Sequence, residues 1–270
     1  MTGLSAHPTS TLAERARTLL EGGPCDAGRL AREVLGLPAA PPAVAERLAV
    51  ALLGADPRVR QLDDGRWALV LAALGSPLIE SCAFAVVDVE TTGARAVADD
   101  RITEVAVVVV HGERTELVFE SLINPERPIP AVVSGLTGIT DTMVRDAPPF
   151  EAVADQLLGA LAGRVFVAHN ARFDWGFVDA ELRRTRALAL EGPRLCTVRL
   201  SRRLIRGLPS HALDHLTAHF NLDNGARHRA AGDALVTAEI LRRLLLLARD
   251  RGARTLEDLE RLLSARPSAS

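Results

Sequence analysis

The chain has 270 residues, 48% of them apolar, with a formal net charge of −2, which allows one large domain plus a small one. The longest apolar runs, near Val105–Val110 and Leu244–Ala248, are far too short to cross a bilayer, which excludes a membrane-spanning reading. Cys25, Cys82 and Cys196 are scattered without metal-type pairing and read as reduced, buried residues. No basic stretch followed by an apolar core opens the chain, so a cytoplasmic protein without a signal peptide is expected. The charge is uneven. Residues 81–180 hold 7 Arg against 15 acids, and residues 181–270 hold 17 Arg against 10. There is no lysine, so every permanent side-chain cation is a guanidinium able to fork onto phosphate.

Residues 1–10 read as a disordered start, followed by a helix over Thr11–Leu20. Asp26 is a good N-cap for a second helix to Leu35, and Pro41-Pro42 opens a third carrying Val44, Leu48, Leu52 and Leu53. Asp63-Asp64-Gly65 between Arg58–Leu62 and Arg66–Leu71 signals a hairpin. Three helices and a hairpin predict a small winged-helix-like α+β domain over residues 1–76, able to bind DNA or to dock a protein. A linker at 77–82 follows, marked by Gly75-Ser76-Pro77.

The second domain, expected over 83–250, opens with the valine-rich strand Ala83–Glu90. Side chains at i and i+2 share a face, so Asp88 and Glu90 project together, and two such carboxylates repel unless a cation lies between them. Strands over Arg101–His111 and Arg114–Leu122 complete a meander, with Ala94–Asp100 as a flexible loop beside the acids. A helix over Phe150–Leu161, a strand at Val165–Ala168 and a helix over Ala171–Arg184 follow. A fifth strand is expected near Leu195–Thr197, then helices at Val198–Ile205, Ala212–Phe220 and Arg229–Ala248. Strands first, then strand–helix alternation, predict a mixed sheet with helices on its faces. Residues 251–270 are left as a C-terminal helix and tail.

Two more acid-bearing stretches share the character of the first. His169-Asn170-Ala171-Arg172-Phe173-Asp174 follows an apolar strand, and Asp174 falls in the first turn of a helix. His228-Arg229-Ala230-Ala231-Gly232-Asp233 opens the most apolar helix of the chain, where an inward-facing acid needs a strong reason. Hard divalent cations take oxygen ligands, which these carboxylates supply, and no cysteine lies nearby to favour zinc.

Asp88-x-Glu90-Thr91-Thr92-Gly93, His169-Asn170-x-x-Phe173-Asp174 and His228-Arg229-Ala230-x-x-Asp233, in this order, resemble the three exonuclease motifs of the DnaQ-like DEDDh family, which includes the proofreading epsilon subunit of bacterial DNA polymerase III. The resemblance spans roughly residues 81–248. It implies an RNase H-like α/β fold with a five-stranded sheet and a 3′-to-5′ exonuclease using two Mg2+ or Mn2+ ions. Asp88, Glu90, Asp174 and Asp233 are then the metal carboxylates and His228 the general base. The sister group uses tyrosine there, and this chain contains none. Thr91, Thr92, Gly93, Thr137, His169, Asn170 and Phe173 are the expected substrate contacts, although the family often has histidine where Thr137 stands. The arginines at 183, 184, 186, 194, 199, 202, 203 and 206 offer a phosphate-binding face. The expected substrate is a single-stranded or frayed DNA 3′ end, with RNA as the alternative. A DNA polymerase or repair protein is the expected partner, and a non-catalytic nucleic-acid-binding adaptor is the rival reading.

Overall fold

The computed structural model of the protein describes residues 5–8, 11–56, 58–69, 76–96, 99–223 and 228–264. Two compact units divide the chain, one within Pro8–Ser76 and the other within Pro77–Ser270, which also takes Thr2–His7.

The first unit packs α1 (Thr11–Glu21), α2 (Ala27–Glu33) and α3 (Pro42–Leu53) around Leu20, Leu30, Leu53 and Trp67. Asp26 caps α2 as its sequence predicts, its carboxylate accepting from the Arg29 N–H. The hairpin pairs Val59–Gln61 antiparallel with Trp67–Leu69 and is tied back by Cys25 and Trp67, whose backbone groups bond to each other. The remainder of the expected second strand, residues 70–71, lies outside the described residues, as does residue 75 of the expected boundary. The outward side of α3 carries Val44, Arg47 and Val50, all exposed.

In chain order the strands are β1 (Ser5–Pro8), the hairpin pair β2 and β3, then β4 (Ala83–Thr91), β5 (Ile102–His111), β6 (Arg114–Leu122), β7 (Val165–Ala168), β8 (Leu188–Glu191) and β9 (Arg194–Cys196). The second unit is built on the mixed five-stranded sheet β6-β5-β4-β7-β9 that the sequence predicts. The meander β4–β5–β6 is antiparallel, while β4–β7 and β7–β9 are parallel. The sheet therefore changes sense at β4, and the carboxyl end of a strand at such a switch is where open α/β sheets hold ligands.

Alternation along β4 sends Phe84 and Val86 to one face and Ala85, Val87 and Val89 to the other. The first face is covered by α8 (Thr197–Leu204), α9 (Leu213–His219), α10 (Ala230–Asp250) and α11 (Leu256–Ser264). The second is covered by α6 (Phe150–Leu161) and α7 (Ala171–Arg186). Two short helices, α4 (Ala131–Thr137) and α5 (Asp141–Val144), lie between β6 and α6. Leu256, Leu259 and Leu263 of α11 are buried in the same core as α10. The 77–82 stretch is fastened there too, with the Leu256 N–H donating to Pro77 O and the Ile79 N–H to Arg254 O.

One expectation changes. Ser5–Pro8, within the stretch read as disordered, is a strand paired with β8, an element the sequence pattern did not suggest. Both are only 4 residues long, which leaves little room for a period-2 signal. Residues 1–4 and 9–10 lie outside the described residues. Hydrogen bonds close the base of the loop over 94–100. The Thr92 N–H donates to Arg101 O (2.8 Å), the Arg101 N–H to Thr92 Oγ1 (3.0 Å) and the Arg95 N–H to Asp100 Oδ2 (3.0 Å). Residues 97–98 lie outside the described residues.

Candidate metal centre

Asp88 and Glu90 leave the same face of β4, the face covered by α10, and Asp233 lies in the first turn of that helix. Carboxylate oxygens of Asp88, Glu90 and Asp233 lie within 4.8 Å of one another. Asp174 joins from the other side of the strand end. It sits in the first turn of α7, is 3% exposed, and its Oδ1 accepts the Val89 N–H (3.3 Å), the amide between Asp88 and Glu90.

Burial first, and then the Asp174, Glu90, Asp233 and Glu104 carboxylates, push the Asp88 carboxyl well above the usual carboxylate range. Burial likewise raises Asp174 to about 8, against the pull of its backbone hydrogen bonds and with a push from Glu90. An all-oxygen donor set in which burial and neighbouring carboxylates raise Asp88 and Asp174 fits a hard divalent cation, which would displace their protons and relieve the repulsion.

His228 begins the turn into α10, half-buried, with φ 59° in the left-handed region; its N–H donates to Asp233 Oδ2 (3.2 Å). Residue 227 of the same motif lies outside the described residues. Asn170 also takes a left-handed conformation (φ 77°), which asparagine tolerates, and its side chain is exposed at the head of α7. His169 Nδ1 lies 2.9 Å from Thr197 Oγ1, linking β7 to the start of α8. Phe173 is half-buried, its ring tilted against Phe177 at 4.9 Å.

Beyond the acids, the Thr91 hydroxyl donates to Gly93 O (2.5 Å), and Thr92 is buried against Arg101. Gly93 is required by close approach. A Cβ there would stand 2.4 Å from Asp100 Oδ2, the carboxylate that holds the returning loop.

The hydroxyl of Thr137 is engaged locally. It is buried at the end of α4, donating to Val133 O (3.1 Å) and accepting from the Ile139 N–H (3.1 Å). Most of the expected arginine face is engaged internally. Arg183 pairs with Asp179 (2.8 Å), Arg184 with Glu181 (3.0 Å) and Arg186 with Glu151 (3.0 Å). Arg199 and Arg203 both donate to Leu263 O, and Arg194 lies over the Trp175 ring. Acids within helical reach, and the last carbonyls of α11, take these side chains, while Arg202 and Arg206 stay exposed.

One charged residue beside the site escaped the sequence reading. Glu104, in β5 directly opposite Glu90, is buried and bonded to Arg229. A lone acid in the in-phase position of an otherwise apolar strand was the available signal.

The family profile described as Exonuclease (RNase_T) matches residues 85–241. The chain belongs to the exonuclease family. Within it, this exonuclease-family chain is 40% identical over 179 residues to the "3'-5' exonuclease DinG" of Bacillus subtilis, covering 66% of the chain and 19% of that protein. It is 39% identical over 191 residues to a "DNA polymerase III subunit epsilon-like protein" of Rhodobacter capsulatus, covering 68% of the chain and 27% of that protein. The chain thus spans well under a third of the length of these relatives. Among solved structures, exonuclease X in complex with 5′ overhanging duplex DNA superposes with a TM-score of 0.54 at 26% identity, covering 67% of this chain and 99% of that one. No described helix is long and apolar enough to cross a membrane.

Proposed function

We propose that the second unit is a metal-dependent 3′-to-5′ DNA exonuclease that releases nucleoside 5′-monophosphates in proofreading or repair. The observation that carries this reading is the convergence of Asp88, Glu90 and Asp233 within 4.8 Å, with Asp174 on the amide between the first two. In the proposal these four carboxylates hold two Mg2+ or Mn2+ ions. When bound, such ions lower the pKa of water and stabilise charge on the leaving oxygen.

The remaining roles fall to the chain itself. His228 accepts a proton from the attacking water, the general-base role for which a neutral imidazole nitrogen is suited. Water oxygen bonds to phosphorus, the bond to the 3′ oxygen of the preceding nucleotide breaks, and that oxygen leaves as the new 3′ hydroxyl. The pinned turn Thr91-Thr92-Gly93 receives the terminal nucleotide, and Asn170, His169 and Phe173 line its path. Thr137 contributes through the end of α4 rather than by its hydroxyl, which is engaged locally.

The DNA substrate is supported by the relatives' names and by the DNA in the exonuclease X complex. The first unit, read as a winged-helix-like module, positions the nuclease on DNA or on a partner such as a polymerase or repair protein. Matched DNA and RNA oligomers, labelled at the 5′ end and incubated with Mg2+ or Mn2+, test the reading. Stepwise shortening from the 3′ end, faster on DNA, is expected. Faster loss of RNA would make the chain an exoribonuclease, and intact label in both would leave an adaptor.

A further inference from the structure

We propose that Glu104 is a positioning residue for this site: its buried carboxylate grips Arg229 and the Ala230 N–H, and so fixes the start of α10, from which His228 and Asp233 meet Asp88 and Glu90. The inference rests on reading the cluster as a nuclease centre.

Glu104 has a side chain 1% exposed in a strand whose neighbouring residues are almost all apolar. A buried carboxylate persists only when its lone pairs are satisfied by charged or backbone donors. Here they are. Arg229 Nε donates to both oxygens (3.0 and 3.1 Å), Arg229 Nη2 donates to Oε1 (2.5 Å) and the Ala230 N–H donates to Oε2 (2.9 Å).

The last of these bonds has a particular meaning. Arg229 is the N-cap of α10 and makes no side-chain capping bond of its own, so one of the helix's leading amides is capped by Glu104 from a strand far back in the chain. The same turn is pinned a second time, by the His228 N–H on Asp233 Oδ2 (3.2 Å). His228 lies between these anchors in a left-handed conformation that a non-glycine residue keeps only when its surroundings over-determine it. Because Glu104 stands directly opposite Glu90, its grip also sets how α10 registers on the carboxylate end of β4. Releasing it frees the base and one metal carboxylate from the other ligands while the sheet beneath stays paired.

The full chain is assayed as Glu104→Ala, Glu104→Gln and Arg229→Gln, with kcat and KM on labelled single-stranded DNA in Mn2+. Amide hydrogen exchange is followed in the metal-free protein. The expected result for Glu104→Ala is a kcat lower by roughly 10–100-fold, the usual cost of losing an outer-shell support, with KM within about twofold. Exchange should quicken at 228–233 and not in β4 or β5. Glu104→Gln, which keeps an acceptor for the Ala230 N–H, should recover part of both. An unchanged kcat, a Gln variant no better than Ala, or exchange quickened throughout β4 and β5 would each overturn the role. Should Glu104→Ala fail to fold, the Gln variant and Arg229→Gln carry the test, and wild-type kcat and exchange in both would overturn the proposal. A wild-type chain with no nuclease activity would instead reject the proposed function, while exchange at Ala230 still decides whether Glu104 holds the helix.

Discussion

The second unit buries carboxylates in two ways, and the difference separates structural acids from the candidate metal ligands. Where β5 begins against α7, Glu181 is 1% exposed but accepts from Arg101 Nε (2.7 Å), Arg101 Nη2 (3.1 Å) and Arg184 Nη1 (3.0 Å). A fourth donor, the Ile102 N–H, completes its shell (3.4 Å). At the end of β4, what crowds Asp88 is more acid: Asp174, Glu90, Asp233 and Glu104. The first arrangement is complete as it stands. The second is tense until a cation arrives, and Asp88 and Asp174 are pushed toward their protonated forms meanwhile. A buried acid with guanidinium partners belongs to the scaffold, whereas acids facing other acids, the half-buried Asp88 and Glu90 with the buried Asp174 and Asp233, mark chemistry.

Substitutions in the two regions should diverge. Asp88→Asn removes one repelling carboxylate, and cleavage of a labelled 3′ end should fall on the order of 10³–10⁴-fold, the scale of losing an essential group. Its metal-free melting temperature should hold or rise; full activity would count against metal ligation. His228→Ala should slow turnover by roughly 10²–10⁴-fold, the worth of a general base, with Mn2+ binding retained in a direct titration. At the other corner, Glu181→Ala leaves Arg101 with the exposed Glu126 in place of its buried partner and should cost about 3 kcal/mol, or roughly 6–12 °C in melting temperature. The folded fraction should keep its kcat. Loss of kcat without loss of stability would erase the distinction between the regions.

A further effect is expected in the metal-free protein's response to pH. Asp174 holds its proton to about 8 in the folded chain, while in the unfolded chain it releases it near the ordinary 3.8. Between those limits the folded state binds more protons, so stability falls as pH rises from about 4 to about 8 and then levels. Asp174→Asn should flatten that slope in thermal melts at 1-unit intervals, roughly 2–4 °C for each kcal/mol relieved.

Much of this contrast can be read in the residues themselves. Period-2 alternation put Asp88 and Glu90 on one face of β4, and the acid-bearing helix starts at Asp174 and Asp233 follow from an apolar run ending in a polar turn. Strand–helix alternation predicts the mixed sheet with helices on its faces, and the five-stranded RNase H-like form is what the family resemblance implies. The rest depends on pairings between residues distant in sequence. Nothing local says that Glu104 meets Arg229 or that Glu181 takes Arg101. The arginine run misled for the same reason: Arg186 looks free until Glu151, on another helix, is folded against it. Period and composition cannot see a partner that arrives through tertiary packing.

The most direct measurement is calorimetric titration of Mn2+ into the metal-free chain at pH 7, in buffers of different ionisation enthalpy, which counts protons released. With Asp174 raised to about 8 and Asp88 raised as well, binding should expel protons, and Asp88→Asn should weaken the binding and release fewer. Binding with no proton release, or equal binding by Asp88→Asn, would contradict a centre made of crowded carboxyls waiting for a cation.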